Sequence, residues 1–190
     1  MIGQLNVKHK MGMGIPPQSF TEDMTQNQAE FMNWYNLFTW EGKEEGAYFD
    51  AIGNRKDVSC LIICTDWCPD VIWNVPVLFR VMDHGRIRTE VLPMEQHLDT
   101  MDLFLTDGGR AQPIAVFADS NGDVIGKWGA RPRYIQTVMD EFRRRHPDRS
   151  APDYQENVSH VRKEIAKLYN AGTHYQAVIV QELRELFNQF

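Results

Sequence analysis

Apolar positions change rhythm along this chain, and each rhythm implies an element. Residues 1–18 (MIGQLNVKHKMGMGIPPQ) have no period and carry Gly3, Gly12, Gly14 and the Pro16–Pro17 pair, so they read as a loop or extended arm. Phe31, Trp34, Tyr35 and Phe38 then recur at helical spacing. Two capping-box pairs precede them, Ser19 with Glu22 and Thr25 with Gln28, and together these predict one helix over 21–40. A short helix is expected over 44–54, ending near Gly53 and Asn54. Val58 to Cys64 (VSCLIIC) is a continuous apolar run of strand length with β-branched residues, which suits a buried parallel strand.

From Trp67 to His84 the period is helical again, with Val71, Ile72, Val75, Leu78, Phe79 and Met82 on one face and Gly85 as the stop. Ile87–Leu92 reads as a second strand, Glu95–Thr106 as a helix, and Asp107-Gly108-Gly109 as a turn. Two further strands, Ile114–Ala118 and Val124–Trp128, flank Asp119-Ser120-Asn121-Gly122, which carries the Asn-Gly hairpin signal. Residues 131–146 form a helix whose last turn holds Arg143, Arg144, Arg145 and His146. Such a run suits a phosphate, but cations at a helix C-terminus already complement the helix dipole, and that is the commoner reason for them. After a polar linker at 148–153 comes an αα-hairpin. Its first helix presents Tyr154, Val158, Val161, Ile165 and Leu168. Its second, capped by Thr173 with Gln176, presents Ile179, Leu183, Leu186 and Phe187. These stripes are expected to pack on the rest of the chain or on a second copy, which would make a homodimer. The organisation expected is an N-terminal arm and helical extension (1–54), a central α/β domain (55–146) and the C-terminal hairpin (152–190).

Composition narrows the class. The chain has 190 residues and a formal net charge of −6, which argues against general binding to nucleic acid or an anionic membrane, since those partners call for a basic field. No apolar run approaches the ~20 residues of a membrane span. The N-terminus has lysines but no apolar core of a secretory signal, so a cytoplasmic, reducing location is the expectation. Three cysteines, Cys60, Cys64 and Cys68, fall within nine residues. An odd, clustered set is no disulfide framework. Nor does the spacing suit zinc: Cys64 and Cys68 with a distant histidine give three ligands at most, and His84 and His97 read as surface or helix-end residues. No metal or other cofactor is implied.

The candidate chemistry lies in TDWCPDV, residues 65–71. A cysteine in the first turn of a helix meets unpaired N–H groups and the positive end of the dipole, which draw its pKa below the usual ~8.5. Cys68 is placed that way. Asp66 and Asp70 pull in the opposite direction if they lie close. Cys64 is four residues away and is a candidate partner thiol, although a small apolar residue at a strand end is the commoner reading. Cys60 lies ~13 Å up the strand from Cys64, too far to pair, and reads as core.

The chain resembles the thioredoxin superfamily, and four features in order carry the resemblance. VSCLIIC-TD-WC matches the strand–Trp-Cys–helix junction. Pro76 stands eight residues after Cys68, where the family kinks its helix. Gln112-Pro113-Ile114 matches the cis-proline loop that opens the third strand. FADSNGDVIGKWGA matches the closing hairpin and its glycine. W-C-x-D, the WGARP stretch and the added helices are similar to a bacterial branch that often has one active-site cysteine. The resemblance implies an α/β thioredoxin-like fold: a central mixed β-sheet flanked by helices, with an added N-terminal helix and a C-terminal αα-hairpin.

Departures from the family pattern shape the expected function. Where the family has Cys-Gly-Pro-Cys, this chain has Cys68-Pro69-Asp70-Val71, so no resolving thiol follows. Ile62 stands where the family keeps the aspartate that serves that thiol. The two losses are coherent. The expectation is a single-cysteine thiol–disulfide exchange through Cys68, resolved by an external thiol, with a thiol- or disulfide-bearing protein or a small thiol as partner. Trp67 would flank the sulfur, Asp70 would orient a water or take a proton, and Gln112 and Pro113 would bind substrate. The alternative is a thioredoxin-fold scaffold for protein binding or dimerisation, with Cys68 incidental.

Overall fold

The structure, a computed structural model, describes residues 5–190. Residues 1–4 of the expected arm, Gly3 among them, lie outside the described residues. Four strands form a mixed sheet in the order β2-β1-β3-β4, with β1 at Ser59–Cys64, β2 at Arg88–Pro93, β3 at Ile114–Ala118 and β4 at Val124–Gly129. β1 runs parallel to β2 and antiparallel to β3, and β3 is antiparallel to β4. This is the α/β thioredoxin-like architecture expected.

Both faces of the sheet are covered, which explains why β1 is a continuous apolar run. Cys60, Ile62 and Cys64 point into one core and Leu61 and Ile63 into the other. The larger core is built on α4 (Pro69–His84), which links β1 to β2 and is buried along most of its length. It includes Phe20 from α1 (Pro17–Glu22), Phe31 and Trp34 from α2 (Gln28–Leu37), and Phe49 from α3 (Lys43–Ile52). The terminal helices therefore share one core with the sheet. α5 (Leu98–Met101) helps cover the opposite face, α6 (Arg133–Arg145) follows β4, and the C-terminal hairpin is α7 (Tyr154–Asn170) and α8 (His174–Phe187). Ile179, Leu183 and Phe187 of α8 are buried within the same chain, against α4, β4 and α3.

Tertiary contacts overrode several local signals. The single helix expected over 21–40 is two, α1 and α2, separated at residues 23–27. Neither capping box forms. Ser19 lies inside α1. The Thr25 hydroxyl is drawn to Asp66 (3.0 Å), while the Gln28 amide turns back to the Thr21 carbonyl (2.7 Å). Thr173 likewise makes no side-chain cap, because Gln176 is buried and donates to the Trp34 carbonyl (3.2 Å). The helix expected over 95–106 is broken into short turns about α5. His97 leaves helical geometry there, and its ring is buried 3.4 Å from the Lys10 ammonium, not at the surface. Leu168 is 37% exposed, and Tyr169 takes the buried position beside it. The arm is anchored: Asn6 bridges to Asp123 and Ile15 to Val91 on β2.

Candidate functional site

Cys68 caps the N-terminus of α4, where its carbonyl accepts from the N–H groups of Val71 (3.0 Å) and Ile72 (3.3 Å). Pro69 occupies the first helical position, where the missing N–H costs nothing. All three cysteines are free thiols; Cys60 and Cys64 are fully buried and Cys68 is partly exposed. Cys64 faces the core. Burial drives its thiol well above the ordinary value, helped by the neighbouring Cys68. It is therefore poorly placed to serve as a resolving thiol.

The loop before β3 comes up beside Cys68. Its Gln112–Pro113 bond is cis, the Cys68 thiol lies 3.9 Å from the Gln112 carbonyl, and the Gln112 amide oxygen accepts from the buried Thr65 hydroxyl (3.0 Å). Gly129 of β4 lets this loop sit close. A Cβ there would lie 2.2 Å from the Pro113 carbonyl, and its φ of 129° is itself one that other residues rarely adopt. Trp67 is 48% exposed and donates its indole N–H to Glu95 (2.8 Å).

The two aspartates beside the cysteine have separate roles. Asp66 accepts from the Thr25 and Gln26 N–H groups (2.8 and 3.2 Å) and fastens the α1–α2 connection to the site. Asp70 is withdrawn from solvent. It is only 8% exposed and paired bidentately with Arg131 at 2.9 and 2.6 Å. Arg131, which no reading of the sequence singled out, comes from the WGARP stretch after β4. Behind it Asn74 donates to the Ala130 carbonyl (3.2 Å) and to the Tyr169 hydroxyl (2.8 Å), and Tyr169 stacks on Trp73 at 4.4 Å. The C-terminal hairpin thus buttresses the cysteine-bearing helix.

These contacts answer the electrostatic question at Cys68. Burial pushes its thiol up to about 11, and Asp70 adds to the rise; the Val71 and Asp70 N–H groups and Arg131 pull it down without prevailing. The balance that the sequence left open between the helix terminus and the aspartates falls on the raised side. The helix terminus does act in the expected direction, but withdrawal from water outweighs it.

Cys68 opens onto a cleft of about 600 Å³ between the α4 N-terminus, the 109–112 loop and α7. That volume suits a small ligand. A larger groove, about 730 Å³, lies against α1, α2 and β2, but it is lined by neither a thiol nor a basic side chain. Among the described residues no cluster of His, Cys, Asp and Glu could hold a metal, and no helix is long and apolar enough to cross a membrane.

A family model described as thioredoxin matches residues 14–143. The chain belongs to the thioredoxin family. Two solved structures resemble this thioredoxin-family chain over nearly its whole length. The crystal structure of an HIV epitope-scaffold has a TM-score of 0.67 at 13% identity, covering 98% of this chain and 99% of its own. A Pseudomonas aeruginosa protein of unknown function, solved at 1.5 Å, has a TM-score of 0.61 at 15% identity, covering 93% of each chain. At these identities the likeness concerns the fold. No curated protein matches the chain. The family match begins at residue 14, so it takes in α1, α2 and α3 as well as the sheet.

Proposed function

We propose that this thioredoxin-family protein performs single-cysteine thiol–disulfide exchange at Cys68, with an external small thiol of a reducing compartment as resolving partner. The observation that carries the reading is that Cys68, alone of the three thiols, reaches a ligand-sized cleft, beside the Gln112–Pro113 loop. Val71 is fully buried and offers no thiol, so a mixed disulfide on Cys68 would persist until a second thiol arrives. Trp67 and Gln112 would flank the bound substrate. Asp70 would act by holding Arg131 in place, not by moving a proton.

The raised thiol makes this a slow exchanger near neutrality. At pH 7 a thiol of pKa about 11 is roughly 1 part in 10⁴ thiolate, about 300-fold less than an ordinary thiol of ~8.5. Greater nucleophilicity returns about 10–20-fold, leaving a rate some 20-fold below that of a free cysteine. The same raised pKa favours a second reading, a thioredoxin-fold scaffold in which Cys68 is structural. Brief exposure to hydroxyethyl disulfide at pH 9, followed by peptide mass spectrometry, separates the two. Exchange requires the adduct on Cys68, lasting until a small thiol is added; an unmodified Cys68 leaves the scaffold.

A further inference from the structure

Positive charge is concentrated around the one accessible thiol of an acidic protein. The formal net charge is −6, yet the cleft walls carry Arg110, Arg131, Arg143, Arg162 and Lys163 against one carboxylate, Asp70. Arg131 is neutralised by Asp70 inside the wall. Arg110 is held bidentately by Asp102 and Arg143 is paired with Asp107, so the charge left uncompensated on the wall is that of α7. Arg162 and Lys163, exposed on α7, form no ion pair with any carboxylate among the described residues. Glu164, next to them in sequence, is turned to Lys167 instead (2.7 Å). Such an unbalanced wall concentrates anions at the cleft mouth and offers guanidinium groups suited to carboxylates.

We infer that the Cys68 cleft selects small disulfides bearing carboxylates, which its cations hold while one sulfur is presented to Cys68. The inference rests on the exchange reading above and names its substrate class. In the reaction the Cys68 thiolate attacks one sulfur of R–S–S–R, forming the Cys68–S–S–R bond and releasing R–S⁻. A second small thiolate, R′–S⁻, then attacks the R sulfur, releasing R–S–S–R′ and restoring the Cys68 thiolate. Overall R′–S⁻ is oxidised to disulfide level while one R–S half is reduced to thiolate, so the exchange balances with no outside oxidant or reductant. The cations would act on the carboxylates and on the departing R–S⁻, so the preference should be electrostatic and screened by salt.

The test compares three probes at pH 9: oxidised glutathione (anionic), hydroxyethyl disulfide (neutral) and cystamine (cationic). Rates of Cys68 adduct formation are normalised to those of an unstructured cysteine peptide. The normalised rate for oxidised glutathione should exceed that for hydroxyethyl disulfide by about tenfold or more at low salt, with cystamine slowest. The preference should shrink in ~0.5 M sodium chloride, where the Debye length is a few Å. It should collapse in the Arg162→Glu/Lys163→Glu double variant and survive in Lys167→Glu, a charge change on the same helix outside the cleft. Equal normalised rates for the three probes would overturn the inference while leaving exchange intact. Failure of Cys68 to react with any probe would overturn the exchange reading instead. The cleft is then judged by calorimetric titration of S-methylglutathione into Cys68→Ser. Salt-sensitive binding that the double variant loses upholds the anionic class, and no binding ends it.

Discussion

Replacing Asp70 by asparagine should loosen the fold and wake the thiol at once. In the native protein the Asp70 carboxylate meets the Arg131 guanidinium at 2.9 and 2.6 Å, and the two side chains are only 12% and 11% exposed. Removing one partner of such a pair costs about 3–5 kcal/mol, because the other charge stays buried without compensation. Asparagine keeps one acceptor oxygen, so the loss should fall near the lower end, about 3 kcal/mol. With a urea m-value of about 2 kcal/mol/M, the unfolding midpoint should drop by about 1.5 M. At Cys68 the same change acts twice in one direction: it removes the anion that raises the thiol and frees Arg131 to lower it. A single neighbouring charge moves a pKa by about 1–3 units, so the thiolate at pH 8 should increase about tenfold or more. Iodoacetamide rates at Cys68 between pH 7 and 11, located by mass spectrometry, measure this. The native rate should still be climbing at pH 10, and the variant should bend earlier. Asp70→Asn/Arg131→Gln, which empties both sides of the pair, should recover stability while giving back only the share of the gain at Cys68 that came from freeing Arg131. If Asp70→Asn leaves the inflection where it was or raises it, the electrostatic account of Cys68 is wrong; an unchanged urea midpoint would show that the pair is not buried.

Gly129→Ala should cost at least about 1–3 kcal/mol in urea unfolding and alter the Cys68 alkylation rate, since its Cβ would lie 2.2 Å from the Pro113 carbonyl; a variant that matches the native protein in both would show that the loop does not need the glycine. Leu183→Ala should cost about 2–5 kcal/mol, and deletion of 152–190 should give aggregated protein, because α8 completes the core that holds α4; a soluble truncation of undiminished stability would make the hairpin a separate module. Burial, aided by Lys10, holds His97 below its ordinary value, so the folded protein keeps it neutral where the unfolded chain protonates it near ~6.5. Stability from this source is fully present above that pH and lost as pH falls toward the folded value, and His97→Gln should flatten that part of the profile.

Period and position along the chain determined the elements and their chemistry. A run such as VSCLIIC can only be a strand buried on both faces or a core helix, and its length and β-branching choose the strand. The spacing from Cys68 to Pro76 and Pro113 aligned the site residues with a known fold, and Val71 announced the missing second thiol. Local signals failed where a distant side chain offered a better partner. Asp66 took the Thr25 hydroxyl from its capping box, Trp34 took Gln176, and Lys10 drew His97 out of a helix. The state of Cys68 was decided in the same way. A sequence shows a helix terminus and two nearby acids. It cannot show that Arg131, sixty-one residues beyond Asp70, pairs with that acid inside the wall, or that α7 and Trp73 close over the site. Desolvation depends on everything packed around a group, whereas a helix dipole depends only on the turn that carries it. The dipole was therefore legible in seven residues, and the burial that overcame it required the whole fold.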